Sequence, residues 1–323
     1  MFEPAEAQAA IGAAVRAPLD DLGVISVTGE DAAGFLHGQL TNDVLHLDAG
    51  HLALNGYCTA KGRLLATLRV WRDEQSIHLL LPREILPGVL KRLSMFVLRA
   101  KAKLADDSDA WKVFAVFGPG STAELGKLGG AVPAAAGECT RIDGVRIARL
   151  KGSAQVAERF LVLAPAASAG AVAAGLSGLR AVRGGAYWWS EIDAGVPTVF
   201  AATQEKFVPQ MINFEVIDGV SFSKGCYPGQ EVVARSQFRG KLKRRMQLGS
   251  CAAGAKAGAD VFAAGDAEAV GTVVMSAVAP TGGFDVLFEC PLDKAETPLH
   301  LGAPDGPRLA LRALPYELID VTA

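Results

Sequence analysis

Apolar residues recur at helical spacing in several parts of the chain. In the run from 84 to 97 they stand at 86, 89, 90, 93, 96 and 97, and this spacing predicts an amphipathic helix. Acidic residues at 30 and 31 precede apolar ones at 35, 36 and 40, which predicts a helix over 30 to 43. Further helices are predicted over 1 to 20, after 120, and over 166 to 178, 184 to 193 and 230 to 238.

Runs rich in β-branched and other apolar residues lie between these helices and predict strands. They cover 22 to 28, 52 to 60, 64 to 72, 76 to 81, 101 to 105, 111 to 117 and 159 to 163, with a hairpin over 138 to 150. Short runs at 261 to 262, 270 to 275, 284 to 288 and 308 to 312 are separated by Gly and Asp. That spacing is typical of a small β-barrel.

The interleaved strands and helices predict an α+β fold that is ferredoxin-like in part. We expect an N-terminal α+β domain built from residues 1–130 and part of 180–240. Residues 131–183 are expected to continue it or to form a second α+β subdomain, and residues 241–323 to form the C-terminal β-barrel.

The composition limits the classes of partner. The chain has 323 residues, half of them apolar, and a net charge of −2, so charge alone does not favour nucleic acid or an anionic membrane. Residues 160 to 179 carry no charge, but they are mostly Ala, Gly and Ser with Pro165 among them. We therefore interpret them as a strand and an Ala-rich helix rather than a membrane span.

The cysteines indicate the compartment. Five are scattered along the chain without a CxxC pair or a Cys/His cluster, which predicts neither a disulfide framework nor a metal site. This usage favours a reducing compartment. The acidic residues Glu3 and Glu6 and the lack of an apolar leader argue against a signal or transit peptide, so we expect a cytoplasmic protein.

The stretch from Lys224 to Glu231 holds the one cysteine with a setting for altered reactivity. Ser221 to Ser223 is interpreted as the end of a strand, and Pro228 as the first residue of a helix. Cys226 would then lie just before a helix N-terminus, and Lys224 would add a cation, both of which favour a thiolate. The alternative is a structural turn with a buried, inert cysteine.

This stretch also identifies a family. Lys-Gly-Cys-Tyr-Pro-Gly-Gln-Glu at 224–231, followed by Val-Val-Ala-Arg and Phe-Arg-Gly up to residue 240, resembles the signature of the YgfZ folate-binding family. Members of that family are relatives of the glycine cleavage system aminomethyltransferase, the T-protein. Further segments also resemble that family, at 29–43, 57–63, 118–119, 193–197, 207–213 and 314–316.

The resemblance implies an aminomethyltransferase-like fold in three parts and a tetrahydrofolate cofactor. It also implies a role in iron–sulfur cluster assembly or repair, which would support tRNA modification indirectly, with iron–sulfur enzymes or assembly proteins as transient clients. The proposed catalytic residues are Cys226 and Lys224. The proposed folate-binding residues are Leu22, Tyr187, Trp188, Trp189, Asp193, Tyr227, Gln230, Glu231, Arg235 and Arg239.

Folate chemistry gives these residues their roles. A carboxylate can pair with the amino-pyrimidine edge of a pterin, and Asp193 matches the family's carboxylate before Ala-Gly. The aromatic run 187–189 can stack on the ring, and Arg235, Arg239 and Lys241 can bind the acidic tail. Each has an open alternative: the aromatics as core, Asp193 as a turn cap and the basic run as a solvated face. His37 is interpreted as an ordinary surface or half-buried helix residue, with an acid–base role as the alternative.

Two other functions stay open. A one-carbon transferase is disfavoured because Ala66 and Thr67 stand where the aminomethyltransferase has an acidic pair, and neither can move a proton. A direct RNA-binding module could use the basic run 239–245, but the net charge and the lack of an aromatic platform disfavour it. One thiolate cannot hold a cluster alone, so we expect any cluster to be shared with a client or a second protomer.

Overall fold

The computed structural model describes residues 3–238 and 242–318. The helices are α1 (Pro4–Gly12), α2 (Ala32–His37), α3 (Leu86–Met95), α4 (Ser121–Gly126), α5 (Ala169–Gly175), α6 (Gly184–Asp193), α7 (Gln230–Phe238) and α8 (Leu292–Ala295). Short 3₁₀ turns cover Ser108–Ala110, Ala166–Ser168, Ala201–Thr203 and Pro209–Ile212.

The strands form two open sheets and one barrel. The first eleven are β1 (Val15–Pro18), β2 (Leu22–Thr28), β3 (Ala53–Cys58), β4 (Leu64–Arg72), β5 (Ser76–Pro82), β6 (Lys103–Asp106), β7 (Trp111–Phe117), β8 (Cys139–Ile142), β9 (Val145–Arg149), β10 (Arg159–Pro165) and β11 (Arg180–Ala181). The last six are β12 (Arg244–Cys251), β13 (Asp260–Ala263), β14 (Gly271–Val278), β15 (Phe284–Pro291), β16 (Leu299–Leu301) and β17 (Arg308–Arg312).

The first sheet has five antiparallel strands in the order β3-β4-β5-β2-β6. Helix α3 contacts this sheet through β2 and β6. Its buried residues Leu86, Val89 and Leu93 belong to the same core cluster as Ile25 of β2 and Leu79 of β5. The predicted amphipathic helix therefore forms because one apolar stripe covers a sheet face.

The second sheet has six strands in the order β11-β1-β7-β10-β9-β8, and only the β1–β11 pair is parallel. It combines β1 near the N-terminus with strands from 111 to 181. The sheets thus do not divide the chain at residue 130, because β7 pairs with β10. The domain limits themselves stay a prediction.

The C-terminal strands close a barrel in the order β12-β15-β14-β13-β16-β17. This confirms the predicted barrel and, with the two mixed α/β sheets, the α+β fold in three parts. Helix α6 packs against α1 and β1 on one side and against β14 and β15 of the barrel on the other. Most of its residues are buried because both faces are covered, and this helix carries the predicted folate aromatics.

Three local predictions were wrong. The predicted helix over 1 to 20 ends at Gly12, and the following β1 pairs with β7 instead. The predicted helix over 30 to 43 is only α2, because Thr41 and Asn42 are engaged in tertiary hydrogen bonds instead, with the backbone of Gly219 and Leu54. The segment 221–223 is not a strand; it lies in bends beside residues 40–42.

In the part of the chain that the structure describes, no helix combines the length and the apolar character needed to cross a membrane.

Candidate functional site

The motif loop, defined as residues 221–229, is held by a tight turn before α7. Gly229 has a φ of +84°, and a Cβ there would collide with the carbonyl oxygen of Thr59. Glycine is therefore required where this loop meets the turn between β3 and β4. Helix α7 begins at Gln230, so Pro228 is not its first residue, and Cys226 lies outside its first turn. The predicted helix-start position of Cys226 was wrong, because a turn at residues 228 and 229 precedes the helix.

Cys226 is exposed, whereas the other four cysteines are buried. This excludes the alternative of a buried, inert Cys226. Burial raises the pKa of the Cys58 and Cys290 thiols to about 12, which disfavours their reactive thiolate form. Cys226 is thus the cysteine that a partner or an electrophile can reach from solvent.

Lys224 is buried beside the cysteine and closes the end of α2. Its ammonium group donates hydrogen bonds to the carbonyl oxygens of His37 and Leu40, the latter at 2.6 Å. It also lies 4.9 Å from the ring centre of Tyr227. Burial lowers the pKa of Lys224 to about 8, although Asp43 and Cys226 act in the opposite direction. Lys224 therefore joins α2 to the motif loop and interacts electrostatically with Cys226.

The depressed pKa of Lys224 gives a pH prediction. Because the folded state releases this proton near pH 8 and the unfolded chain only near 10.5, the unfolded state binds more protons between these values. The free energy of unfolding should therefore rise by ~1–3 kcal/mol between pH 8 and 10.5, relative to Lys224→Met. Urea denaturation of both proteins across this range measures the difference. A difference that stays flat or falls with pH would contradict the buried ammonium.

His37 lies beside the motif loop, a location that its helix position alone did not reveal. A Cβ placed on Gly225 would be 3.6 Å from Nε2 of His37. Its Nδ1 lies 3.1 Å from a carboxylate oxygen of Asp43. Burial and Lys224 lower the pKa of His37, and Asp43 opposes them. An imidazole with a lowered pKa, oriented by a carboxylate, can accept a proton at neutral pH.

A cavity of about 210 Å³, here called the central cavity, lies between the first sheet, the second sheet and the segment before the motif loop. Four basic residues and one acidic residue are part of its lining: Arg69, Arg149, Lys151, Arg159 and Asp218. This excess of positive charge suits an anionic ligand group.

A buried ion network supports one wall of the central cavity. Glu191 of α6 is fully buried and pairs with Arg69 at 2.5 Å and with Arg159. Burial opposes ionisation of Glu191, but the two guanidinium groups outweigh it and hold its pKa below the ordinary value. The network fixes both arginines at the cavity wall. None of these three residues was predicted from the sequence as a site residue.

The central cavity and the motif loop are joined by hydrogen bonds. Asn42 and Asp218 both line the cavity, and Nδ2 of Asn42 donates to the Asp218 carbonyl at 2.7 Å. Next along the chain, the Thr41 hydroxyl donates to Gly219 at 2.7 Å, and the Ser221 amide donates to Thr41 at 3.0 Å. The backbone from Asp218 to Ser221 is therefore held against the segment after α2.

Asp193, the predicted pterin partner, lies in a different environment. Its carboxylate is buried and accepts hydrogen bonds from Gln155 at 2.7 Å, Arg312 at 3.0 Å and Ser153. Among the described residues, it is not part of the central cavity lining. The carboxylate is thus fully bonded inside the protein rather than open to a ligand.

The three predicted aromatics do not form one stacking surface. Tyr187 and Trp189 are buried core residues, and the Trp189 indole donates to Asp285 at 2.9 Å. Trp188 is half-buried, donates to Asp21 at 2.5 Å and lines a void of about 10 Å³ together with Leu22. That void shares Arg69 with the central cavity. The prediction of an aromatic triplet facing a ligand was wrong for 187 and 189, since α6 is covered on both sides.

The remaining residues that were predicted to bind folate differ in their exposure to solvent. Tyr227 is buried and Gln230 is half-buried. Glu231 and Arg235 are exposed on α7 and pair with each other at 3.2 Å. Arg239 and Lys241 lie outside the described residues.

Lys243 of the basic run is exposed, but the two arginines that follow it are paired with carboxylates. Arg245 is buried against Glu215, and Arg244 pairs with Glu289. These two cations are therefore engaged inside the barrel region and do not form a surface for RNA phosphates.

Strand β4 lacks the acidic pair of the aminomethyltransferase reaction. Ala66 is buried, and the Thr67 hydroxyl accepts a hydrogen bond from the Val199 amide at 3.1 Å. Within residues 3–238 and 242–318, no group of three His, Cys, Asp or Glu side chains is placed to hold a metal ion.

Known proteins were compared with the chain and its structure. No protein-family model matches the sequence. The chain is 32% identical over 313 residues to the tRNA-modifying protein YgfZ of Serratia proteamaculans (strain 568), covering 94% of this chain and 92% of that relative. The structure of glycine cleavage system aminomethyltransferase T from Bartonella henselae superposes with a TM-score of 0.78. Its sequence identity is 17%, over 97% of this chain and 89% of that chain, so this likeness carries the fold alone. The chain belongs to the YgfZ family, and its fold is that of the aminomethyltransferases.

Proposed function

We propose that this protein binds tetrahydrofolate in the central cavity and uses Cys226 in the assembly or repair of iron–sulfur clusters. Through its client enzymes it would support tRNA modification in the reducing cytoplasm. The observation that carries the proposal is the connection between an exposed thiol and a cationic cavity through one hydrogen-bonded segment. This connection supports a functional relation between the thiol and the cavity.

The residues of the central cavity fit the acidic part of a folate. Arg149, Lys151, Arg69 and Arg159 all line the cavity. Glu191 compensates only part of the positive charge of these four residues. The carboxylates of a folate glutamate tail would pair with the remaining cations. Leu22 and Trp188 border the adjoining void, which at about 10 Å³ is too small for the ring system, so the ring system is proposed to lie in the central cavity itself.

The role in tRNA modification comes from the relative, which is named a tRNA-modifying protein. The YgfZ signature at 224–231 implies that the role is exercised through iron–sulfur clusters. One exposed thiolate can ligate a labile iron atom or attack an electrophile, but it cannot hold a cluster alone. Cys226 would therefore act at a shared site, with the remaining ligands supplied by a client protein.

Folate-dependent group transfer receives less support from the site. Ala66 and Thr67 occupy β4 where that reaction would need carboxylates, and Thr67 is engaged by a backbone amide. Direct tRNA binding is also weakly supported, because Arg244 and Arg245 are paired with glutamates. The proposed accessory role requires neither carboxylates on β4 nor a cationic surface for tRNA.

Tetrahydrofolate affinity tests the proposal. Reversing both charges in Arg149→Glu/Lys151→Glu should weaken binding by about tenfold or more, since each charge-assisted contact contributes roughly 1.5–3 kcal/mol. Anaerobic isothermal titration calorimetry measures the change. The control is Lys91→Glu/Lys112→Glu, which alters two exposed lysines outside the cavity lining. Equal affinity in both double variants would contradict the cavity as the folate site, and the lack of binding by the wild-type protein would contradict the folate proposal.

A further inference from the structure

A second and larger opening, here called the barrel cleft, lies between α6, the turn at 201–203 and the barrel strands β14 and β15. Its volume of about 600 Å³ is within the range of about 300–1,000 Å³ that is typical of small-molecule sites. Among the described residues, its lining shares no member with the lining of the central cavity. The barrel cleft is therefore large enough for a ligand of its own.

Aromatic and aliphatic side chains form most of the barrel cleft. Trp188, Phe200 and Phe284 line it, and Met275 adds a buried apolar surface. The rings of Trp188 and Phe200 meet edge to face, with 5.4 Å between their centres and 70° between their planes. The Trp188 indole is held by its hydrogen bond to Asp21. Rings fixed in this way offer a surface for a flat aromatic ligand.

Two side chains of opposite charge also line the barrel cleft, and they do not pair with each other. One carboxylate oxygen of Glu84 accepts a hydrogen bond from the Ala201 amide at 2.7 Å. Within residues 3–238 and 242–318, neither the other oxygen nor the ammonium group of Lys256 has a hydrogen bond or an ion pair. A ligand that carries both an amino and a carboxylate group would complement these two charges.

The backbone around Lys256 is held against the barrel. The Ala259 amide donates to the Lys256 carbonyl at 3.1 Å, and the Gly258 amide donates to the Val273 carbonyl at 2.8 Å. Lys206 also donates to the Gly258 carbonyl at 3.2 Å. The cation is therefore carried by a fixed turn beside the aromatic rings.

Ser276 adds a hydroxyl group that the fold itself does not use. Its Oγ is shielded from solvent and makes no hydrogen bond in the part of the chain that the structure describes, although Ser276 is half-buried and lines the cleft. Buried hydroxyl groups normally have a partner, because an unsatisfied one destabilises the folded state. A change of its χ1 rotamer would turn this hydroxyl towards a molecule in the cleft.

We infer that the barrel cleft binds a small aromatic molecule with both an amino and a carboxylate group, such as an aromatic amino acid. The ring lies against Trp188, Phe200 and Phe284, while Glu84 pairs with the amino group and Lys256 with the carboxylate. Ser276 supplies a further hydrogen bond. This site is separate from the central cavity, so the inference does not depend on the proposed folate function.

Isothermal titration calorimetry of the full chain with three probes tests the inference. L-Tryptophan carries both charges, tryptamine lacks the carboxylate, and indole-3-propionate lacks the amino group. Tryptophan should bind about tenfold more tightly than either analogue, since each analogue loses one charge-assisted contact. Lys256→Met should abolish the preference for tryptophan over tryptamine, and Glu84→Gln should abolish the preference over indole-3-propionate. Glutamine keeps an oxygen for the Ala201 amide. Lys112→Met, at an exposed lysine outside the cleft lining, should change neither preference.

Ser276→Ala separates a ligand role from a structural one. The variant should bind tryptophan several-fold more weakly, yet its free energy of unfolding in urea should equal or exceed that of the wild type. A loss of stability would show that the hydroxyl serves the fold and would overturn its ligand role. No saturable binding of the three probes by the wild type, or equal affinity for all three, would overturn the site. Neither result would alter the expected binding of tetrahydrofolate in the central cavity.

Discussion

Replacing Cys226 by serine is expected to reduce iron–sulfur enzyme activity in cells to the level found without the protein. Serine keeps the size and the exposure of the side chain but cannot form a thiolate at neutral pH, so it cannot ligate iron or attack an electrophile as cysteine does. The measurement is the activity of a cluster-dependent tRNA-modifying enzyme in a deletion strain that carries each variant at equal protein level.

The control for this experiment is Ser223→Ala, another exposed position in the motif loop. Because both side chains are exposed, each substitution should change the free energy of unfolding by no more than about 0.5 kcal/mol. Full enzyme activity with the Cys226→Ser protein would contradict the proposal, because it would mean that the function does not require the thiol.

Replacing Glu191 by glutamine is expected to cause a large loss of stability. The change leaves Arg69 and Arg159 charged at a buried site without their counter-ion. Breaking a buried ion pair by removing one partner typically costs ~3–5 kcal/mol. Urea denaturation followed by far-UV circular dichroism measures the free energy of unfolding.

The matched control for Glu191 is Glu231→Gln, which removes the same charge from an exposed pair with Arg235 on α7. Exposed pairs of this kind contribute at most about 1 kcal/mol. Equal losses in the two variants would mean that the Glu191 network does not support the cavity wall.

The sequence predicted those elements whose pattern is decided locally. Helix α3 followed from one apolar stripe, and four of the six barrel strands followed from short apolar runs between turn residues, whereas β12 and β16 were not predicted. Strand β1 could not be found in this way, because its four residues form a strand through pairing with β7, about a hundred positions later in the chain, and with β11, which lies later still. Local periodicity carries no record of such a partner.

The candidate site was predicted in part for a similar reason. The cysteine motif is continuous in sequence and could be identified directly. The Arg69–Glu191 contact joins residues 122 positions apart, and the Gln155–Asp193 contact joins residues 38 positions apart. Neither pairing leaves a local signal, so the cavity wall and the occupied carboxylate were visible only in the folded chain.

Tryptophans and arginines show the limit of reasoning from residue type. Trp188 and Trp189 are neighbours in sequence, yet one borders a void and the other is buried against the barrel. Arg245 belongs to a basic run but is buried with Glu215. Burial and pairing, which depend on the tertiary fold, decided which of these side chains a ligand could meet.

Protection of Cys226 by tetrahydrofolate tests the central claim most directly. A folate bound in the cavity, whose wall continues into the motif loop, should restrict access to the thiol, so saturating tetrahydrofolate should slow alkylation of Cys226 by iodoacetamide several-fold. The rate is measured by mass spectrometry of the modified peptide, with a non-folate carboxylate such as glutamate as the control. An alkylation rate that is the same with and without bound tetrahydrofolate would contradict a shared site for the thiol and the cofactor.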